Sequence, residues 1–264
     1  MGFSENEKNG VVYMTAPNIG TLHAFTTRYG GVSGGIWKSL NLGENRGDDR
    51  ECVRENYRRL KDALGIGGDI VFSRQVHGTN ILKAGEEHRH GLFDPIDYEA
   101  DGLITDVPGL PLIIFTADCI PVLLHDPVRK VIGAVHAGWR GTVSDIAGKA
   151  VRQMAETYGC DPVNIRAAIG PGIGPCCFET GPEVPEAVRG VLGGEAESYI
   201  RPGEREGKSM VDLPGVNRAL LMRAGVPGEN IALSGECTMC LNEKYWSHRH
   251  TKGERGSQAS VIML

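Results

Sequence analysis

The sequence predicts an α/β (α+β) fold, with mixed β-sheet layers and helices outside them, and three observations carry that expectation. Short apolar runs at Pro111–Thr116, Pro121–His125 and Lys130–Val135 are separated only by Ala117–Ile120 and Asp126–Arg129, the composition of strands buried on both faces. Apolar stripes at helical spacing lie on either side of them, at Arg50–Leu64 and Val143–Tyr158. Neither an internal repeat nor a linker divides the 264 residues, which read as one domain.

Taken in order, Val11–Met14 and Leu22–Thr27 are β-rich, and Tyr29–Gly35 is a glycine-rich loop. The helix Arg50–Leu64 sets Val53, Tyr57, Leu60 and Leu64 on one face; Asp48 or Asp49 caps it and Gly65–Gly68 ends it. Ile70–Val76 and Asn80–Ala84 read as strands around a turn at Gly78, and polar Glu86–Glu99 as a surface loop. Beyond the three apolar runs, the helix Val143–Tyr158 carries Ile146, Ala147, Ala150, Val151, Met154, Ala155 and Tyr158 on one apolar stripe. The strand Asn164–Ile169 leads into the rigid turn GPGIGPCC. A third helix spans Pro214–Ala224, and strands at Ile231–Leu233 and Ser260–Leu264 close the chain.

Composition excludes several classes. There are 28 Lys+Arg against 33 Asp+Glu, a net charge of −5, which argues against a nucleic-acid binder, since such proteins need a basic face to neutralise phosphates; the one basic stretch, Lys244–Arg255, is short. No window approaches ~18 uninterrupted apolar residues, which argues against a membrane protein. The polar opening MGFSENEKNG is no signal peptide. Seven cysteines, an odd number without an export signal, argue against a disulfide framework. A cytoplasmic protein is expected. Glycine, 37 of 264 residues, is about twice the usual ~7% and implies many tight turns.

Three segments combine metal-capable side chains with the ends of β-rich runs: Gln75-Val76-His77-Gly78, Thr116-Ala117-Asp118-Cys119 and Val135-His136-Ala137-Gly138-Trp139-Arg140. Two imidazoles and a thiolate suit zinc, and three protein ligands leave a position open, as in catalytic sites. The spacings are long, so the pattern alone favours three unrelated residues over a metal site, with a metal-free Cys119–His136 nucleophile and base as the reading between them. Asp118 is either a turn acid or a group that orients a histidine or takes a proton. Cys237-Thr238-Met239-Cys240 with Cys176-Cys177 offers four thiolates, but adjacent cysteines constrain geometry poorly and the plainer expectation is packing thiols. His248 and His250, beside Arg249 and Arg255, read as a solvated strand edge or an anion-binding rim.

Together the segments resemble a known family. QVHG (Gln75–Gly78), ADGLIT (Ala100–Thr105), TADCIPVLL (Thr116–Leu124), VHAGWRGT (Val135–Thr142) and AIGPGIGPCCFE (Ala168–Glu179) stand in the order found in the YfiH/YlmD family. Its members are described as purine nucleoside phosphorylases and were formerly labelled polyphenol oxidases or laccase-domain proteins. SLNLGENRGDD (Ser39–Asp49) and WSHRHTKGERG (Trp246–Gly256) extend the resemblance over nearly the whole chain. One departure is Ser247-His248-Arg249-His250, where the family commonly has a Ser-Tyr-Arg-Arg-type run.

The resemblance implies a layered mixed sandwich similar to the catalytic domain of cytotoxic necrotizing factor toxins. It implies a metal site of His77, Cys119 and His136 holding zinc, with copper as the alternative. It also implies phosphorolysis of adenosine, inosine and methylthioadenosine, with adenosine deamination in the same site. The small-molecule partners would be purine nucleosides and phosphate. Phosphorolysis needs cations around phosphate, and Arg140 and Arg46 are the expected contacts; deamination needs a proton carrier, Asp118 or a histidine. Competing readings are an amide hydrolase on cell-wall precursors using Cys119, a copper-dependent phenol oxidase, and a non-enzymatic role. Eight histidines, with only His88/His90 and His248/His250 as His-X-His pairs, are a poor supply for a multicopper centre.

Overall fold

Alternation of side chains along the central strands divides the apolar residues between separate cores, and that division sets the layering. The structure is a computed structural model describing residues 2–264. Strands β1 (Ser4–Lys8), β2 (Val11–Thr15) and β3 (Leu22–Thr26) precede helix α1 (Arg50–Leu64). Strands β4 (Ile81–Lys83), β5 (Gly102–Thr105), β6 (Leu112–Thr116), β7 (Ile120–Asp126) and β8 (Val131–Ala137) follow. Then come α2 (Trp139–Val143), α3 (Ile146–Tyr158), β9 (Arg166–Ile169), β10 (Glu179–Thr180), α4 (Glu183–Leu192), β11 (Ile200–Pro202), β12 (Ser209–Val211), α5 (Leu213–Arg223), β13 (Ile231–Leu233), α6 (His248–Thr251) and β14 (Gln258–Met263).

Two large sheets face each other. One is antiparallel, in the order β1-β2-β3-β14-β6; the other is mixed, in the order β13-β9-β7-β8-β5-β4, with parallel pairs at its two ends. In β6, Leu112 and Ile114 enter the core between the sheets, while Ile113 packs with Val53, Tyr57 and Leu60 of α1. In β8, Ile132 and Ala134 enter the inter-sheet core, while Val131, Val135 and Ala137 join Ile146, Ala150 and Met154 of α3. The result is four layers: α1, the antiparallel sheet, the mixed sheet, and α3 with α4 and α5. A small third sheet, β10-β12-β11, flanks α4.

The expected helix Arg50–Leu64 is present with the expected boundaries, capped by Asp49, whose side chain accepts from the amides of Glu51 and Cys52. Other expectations change. The segment 70–76 forms no strand: Val71 bridges to Leu112 and Arg74 to Glu99, so its amides are shared between two partners and no single ladder forms. The helix expected at Val143–Tyr158 is α3, which starts three residues later at Ile146, and a separate short helix, α2, ends at Val143. Asp145 sits between them at φ +60° and accepts from the Gly148 amide, starting α3 anew. The strand edge expected around His248 is instead the short helix α6, capped by Ser247.

The strand β1 and helix α4 were not expected from the pattern. The first is the polar run SENEK on a sheet edge, where charge is tolerated and alternation is absent. The second carries Pro185 in its first turn, where a missing amide costs no intrahelical bond.

Candidate active site

The chain leaves the antiparallel sheet at the end of β6 and enters the mixed sheet at the start of β7, and Cys119 lies at that crossing. His136 is near the end of β8, opposite Pro121 of β7, on the face that Ile132 and Ala134 present to the inter-sheet core. His77 lies in the turn before β4. The sulfur of Cys119 and the ring nitrogens of His77 and His136 thereby come within 4.8 Å of one another, with Cys119 Sγ 3.8 Å from His77 Nε2.

One carboxylate organises this group. Asp101 is fully buried at the start of β5. Its Oδ1 lies 2.8 Å from His136 Nδ1 and accepts from the His77 amide at 3.0 Å; Oδ2 accepts from the amides of Val76 (3.2 Å) and Gly78 (2.7 Å). The three successive amides can converge because His77 adopts φ +59°, the left-handed region that a histidine rarely occupies. Gln75 ties the same segment to β6, donating to the Phe115 carbonyl and accepting from the Phe115 amide.

The electrostatics follow from this packing. Burial alone would push the Cys119 thiol up, but His136 and His77 overcome it and bring it down to about 6. Burial would likewise depress His136, yet the Cys119 thiolate and Asp101 hold it up, at about 9. Asp101 is held below the ordinary carboxylate range: desolvation opposes this, and His136 and the surrounding amides outweigh it.

The donor set fits a thiophilic ion. With Nδ1–H of His136 donated to Asp101, Nε2 is left as a ligand atom, the usual device for orienting a metal-binding imidazole. The space between the donors is kept clear by Gly138, where a Cβ would stand 2.9 Å from His77 Cδ2 and 3.4 Å from Cys119 Sγ.

His77, Cys119 and His136 open into a cleft of about 660 Å³, within the usual size of small-molecule sites. Phe72, Phe93 and Phe115 supply apolar wall, and Arg46 and Arg255 supply cationic groups. Neither arginine has a carboxylate partner among the described residues. Arg255 is buried, with Nε unpartnered; burial and the nearby Arg46 charge lower it to about 10. Two cations beside each other without ion-pair partners can receive an anion, although the charges of Asp118 and Cys119 also reach Arg255. Thr116 Oγ1, buried and unpartnered, also lines the cleft.

Two expected site residues lie elsewhere. Arg140 is exposed on α2, its guanidinium 4.4 Å from the centre of the Trp139 ring, and does not line the cleft. Asp118 has both oxygens engaged: Oδ1 accepts from Thr238 Oγ1 and Oδ2 from the Arg249 amide, each at 2.6 Å. At φ +85° it shapes the turn before Cys119 and faces no histidine of the site; the histidine-orienting carboxylate is Asp101. Arg255, named in the sequence only beside the histidines of the strand edge or anion-binding rim, lines the cleft, whereas Asp101, the only acid of ADGLIT, was not singled out by pattern. The four remaining candidate thiols are not dispersed packing groups either. The sulfurs of Cys176, Cys177, Cys237 and Cys240 also come within 4.8 Å of one another, and only Cys237 is buried.

Residues 22–264 match the family model described as multi-copper polyphenol oxidoreductase laccase. A purine nucleoside phosphorylase of Deinococcus radiodurans is 43% identical over 257 residues, covering 97% of this chain and 94% of that protein. The purine nucleoside phosphorylase YlmD of Geobacillus stearothermophilus is 37% identical over 250 residues, covering 93% and 91%. The crystal structure of YlmD from Geobacillus stearothermophilus superposes with a TM-score of 0.92 at 36% identity, over 99% of this chain and 98% of that one. The YfiH structure from Bacillus licheniformis gives the same TM-score at 35% identity.

Proposed function

The chain belongs to the YfiH/YlmD family of purine nucleoside phosphorylases, and we propose that it cleaves purine nucleosides with phosphate in the cleft formed by His77, Cys119, His136, Arg46 and Arg255. Adenosine, inosine and methylthioadenosine are the proposed substrates, with adenosine deamination as a second reaction there. The observation that supports this reading most is the coexistence in one cleft of a His-Cys-His donor set and two arginines without carboxylate partners.

Each part has a role. Arg46 and Arg255 hold phosphate, whose oxygen attacks C1′ as the C1′–N9 bond breaks. Arg255 is already buried before phosphate arrives and Arg46 stands exposed beside it at the cleft, so the deeper cation needs little reorganisation in the reaction itself. The phenylalanine wall excludes water and takes the face of the base. Asp101 keeps His136 in one tautomer and holds the His77 turn in place. Zinc, or copper as the alternative ion for this donor set, would supply Lewis-acid polarisation and activated water near neutral pH.

One other reading has support. The order Asp101, His136, Cys119 is that of an orienting acid, a base and a nucleophile, which favours acyl chemistry on amides in metal-free protein. That reading leaves His77, whose turn is held at a positive φ beside the Cys119 sulfur, only the task of helping His136 to lower the thiol. A multicopper oxidase needs more imidazoles than converge here: among the described residues the only donor group containing histidine has two.

The test is product analysis with adenosine, with and without phosphate. Adenine and ribose 1-phosphate formed only with phosphate, and inosine formed in both, is the expected result. Absence of nucleoside turnover by metal-replete protein would overturn the reading.

A further inference from the structure

Away from the cleft, two turns bring four sulfurs together. Cys176 and Cys177 follow the GPGIGP turn, and Cys237 and Cys240 bracket a C-x-x-C turn sixty residues later in the chain, joined to the first by a bridge between Gly172 and Cys237. Cys240 Sγ is 3.4 Å from both Cys176 Sγ and Cys177 Sγ, and all four sulfurs lie within 4.8 Å of one another. Four sulfurs around zinc at ~2.3 Å would be about 3.8 Å apart, a spacing these distances bracket.

Of the four sulfurs, Cys237 is the one that backbone amides surround. Cys237 Sγ accepts from the Gly174 amide at 3.2 Å, and the amides of Met239 and Cys240 also face it. Gly174 leaves room for the group: a Cβ there would stand 3.1 Å from Cys237 Cβ and 3.3 Å from Cys176 Sγ. Cys176 and Cys240 are exposed, so the cluster is open to an ion from solvent on one side, while Cys237 and Cys177 anchor it to the core beneath.

We propose that Cys176, Cys177, Cys237 and Cys240 form a second, structural metal site that takes zinc through four thiolates and fixes the turn carrying Cys119. Each thiol gives up its proton on binding, and no redox step is involved. Four protein ligands leave no open position, the mark of a structural site. The link to the cleft is short. Thr238, inside the C-x-x-C turn, donates to Asp118 at 2.6 Å, and the Ile173 amide donates to the Asp118 carbonyl at 2.7 Å. Closing the thiolate clip therefore holds both segments that brace the residue before Cys119. The proposal does not rest on the nucleoside reading.

The experiment uses the full chain, purified under reducing conditions without chelator from zinc-supplemented medium, and counts zinc per chain. Cys119→Ala, which keeps all four thiols of the cluster, is expected to retain one zinc ion. The further change Cys237→Ser with Cys240→Ser is expected to abolish it. Should that variant fail to fold, cobalt titration of metal-stripped Cys119→Ala decides: strong sulfur-to-cobalt charge-transfer absorption supports the site. Overturning results are Cys119→Ala protein without zinc and without that absorption, or an unreduced mass two hydrogens short that shows the sulfurs joined as a disulfide.

Discussion

Asp101 Oδ1 stands 2.8 Å from His136 Nδ1 and also receives the His77 amide, so one buried carboxylate positions two of the three candidate ligands. Asparagine keeps the volume but has only one oxygen, so Asp101→Asn must lose part of this set of bonds. Its metal affinity at this site should fall about 10–100-fold, the usual cost of losing a group that orients a ligand. Competition with a chromogenic chelator measures the affinity, and an unchanged value would remove Asp101 from this role.

Gly138 permits the three donors to approach. In Gly138→Ala the new methyl would press on His77 Cδ2, and His77 is the exposed ligand and therefore the one that gives way. The backbone there, at φ −65°, accepts alanine without strain. The expected outcome is a folded protein with its melting temperature nearly unchanged and metal at this site reduced at least about tenfold. Thermal unfolding and metal analysis of the same sample separate the two effects.

The arginines divide by location. Replacing Arg46, which lines the cleft, by Gln should raise KM for phosphate roughly tenfold or more, the scale of a lost charge-assisted hydrogen bond. Deamination, which consumes no phosphate, should stay within about twofold. Arg140→Ala, on the exposed face of α2, should leave both rates within about twofold, the reverse of what its nearness to His136 in sequence implies. Equal losses of both reactions in Arg46→Gln would contradict a phosphate contact.

Acid should destabilise the fold through His23. Its Nε2 accepts from the Ala16 amide and its Nδ1–H donates to the Thr21 carbonyl, an arrangement that requires the neutral ring. Burial holds it below its ordinary value. A group depressed on folding contributes stability that is complete above the unfolded value, near 6.5, and is lost as pH falls below it toward the folded one. Urea midpoints should therefore drop between pH 7 and 5, with a shallower drop in His23→Gln. Equal slopes would assign the acid sensitivity to other groups.

Much of the layering was legible because the central strands are unbroken apolar runs and α1 has a strict stripe with Asp49 and Gly65 at its ends. The three candidate ligands were legible only through the family motifs, since 42 residues separate His77 from Cys119 and no local spacing rule spans that gap. Asp101 was hidden for a related reason. Its partners are amides of another segment and a side chain 35 residues away, contacts that exist only after β5 and β8 pair. Arg140 misled because adjacency to a strand end does not fix direction: α2 begins at Trp139 and turns the next side chain outward over that ring.

The central claim is that His77, Cys119 and His136 hold the ion on which nucleoside cleavage depends. Wild type and Cys119→Ala, prepared from the same zinc-defined medium, should be assayed for zinc per chain and for phosphate-dependent adenine release from adenosine. The account predicts that the variant loses one zinc ion relative to wild type and loses adenine release with it. Equal zinc in the two proteins, or undiminished adenine release from the variant, would contradict it.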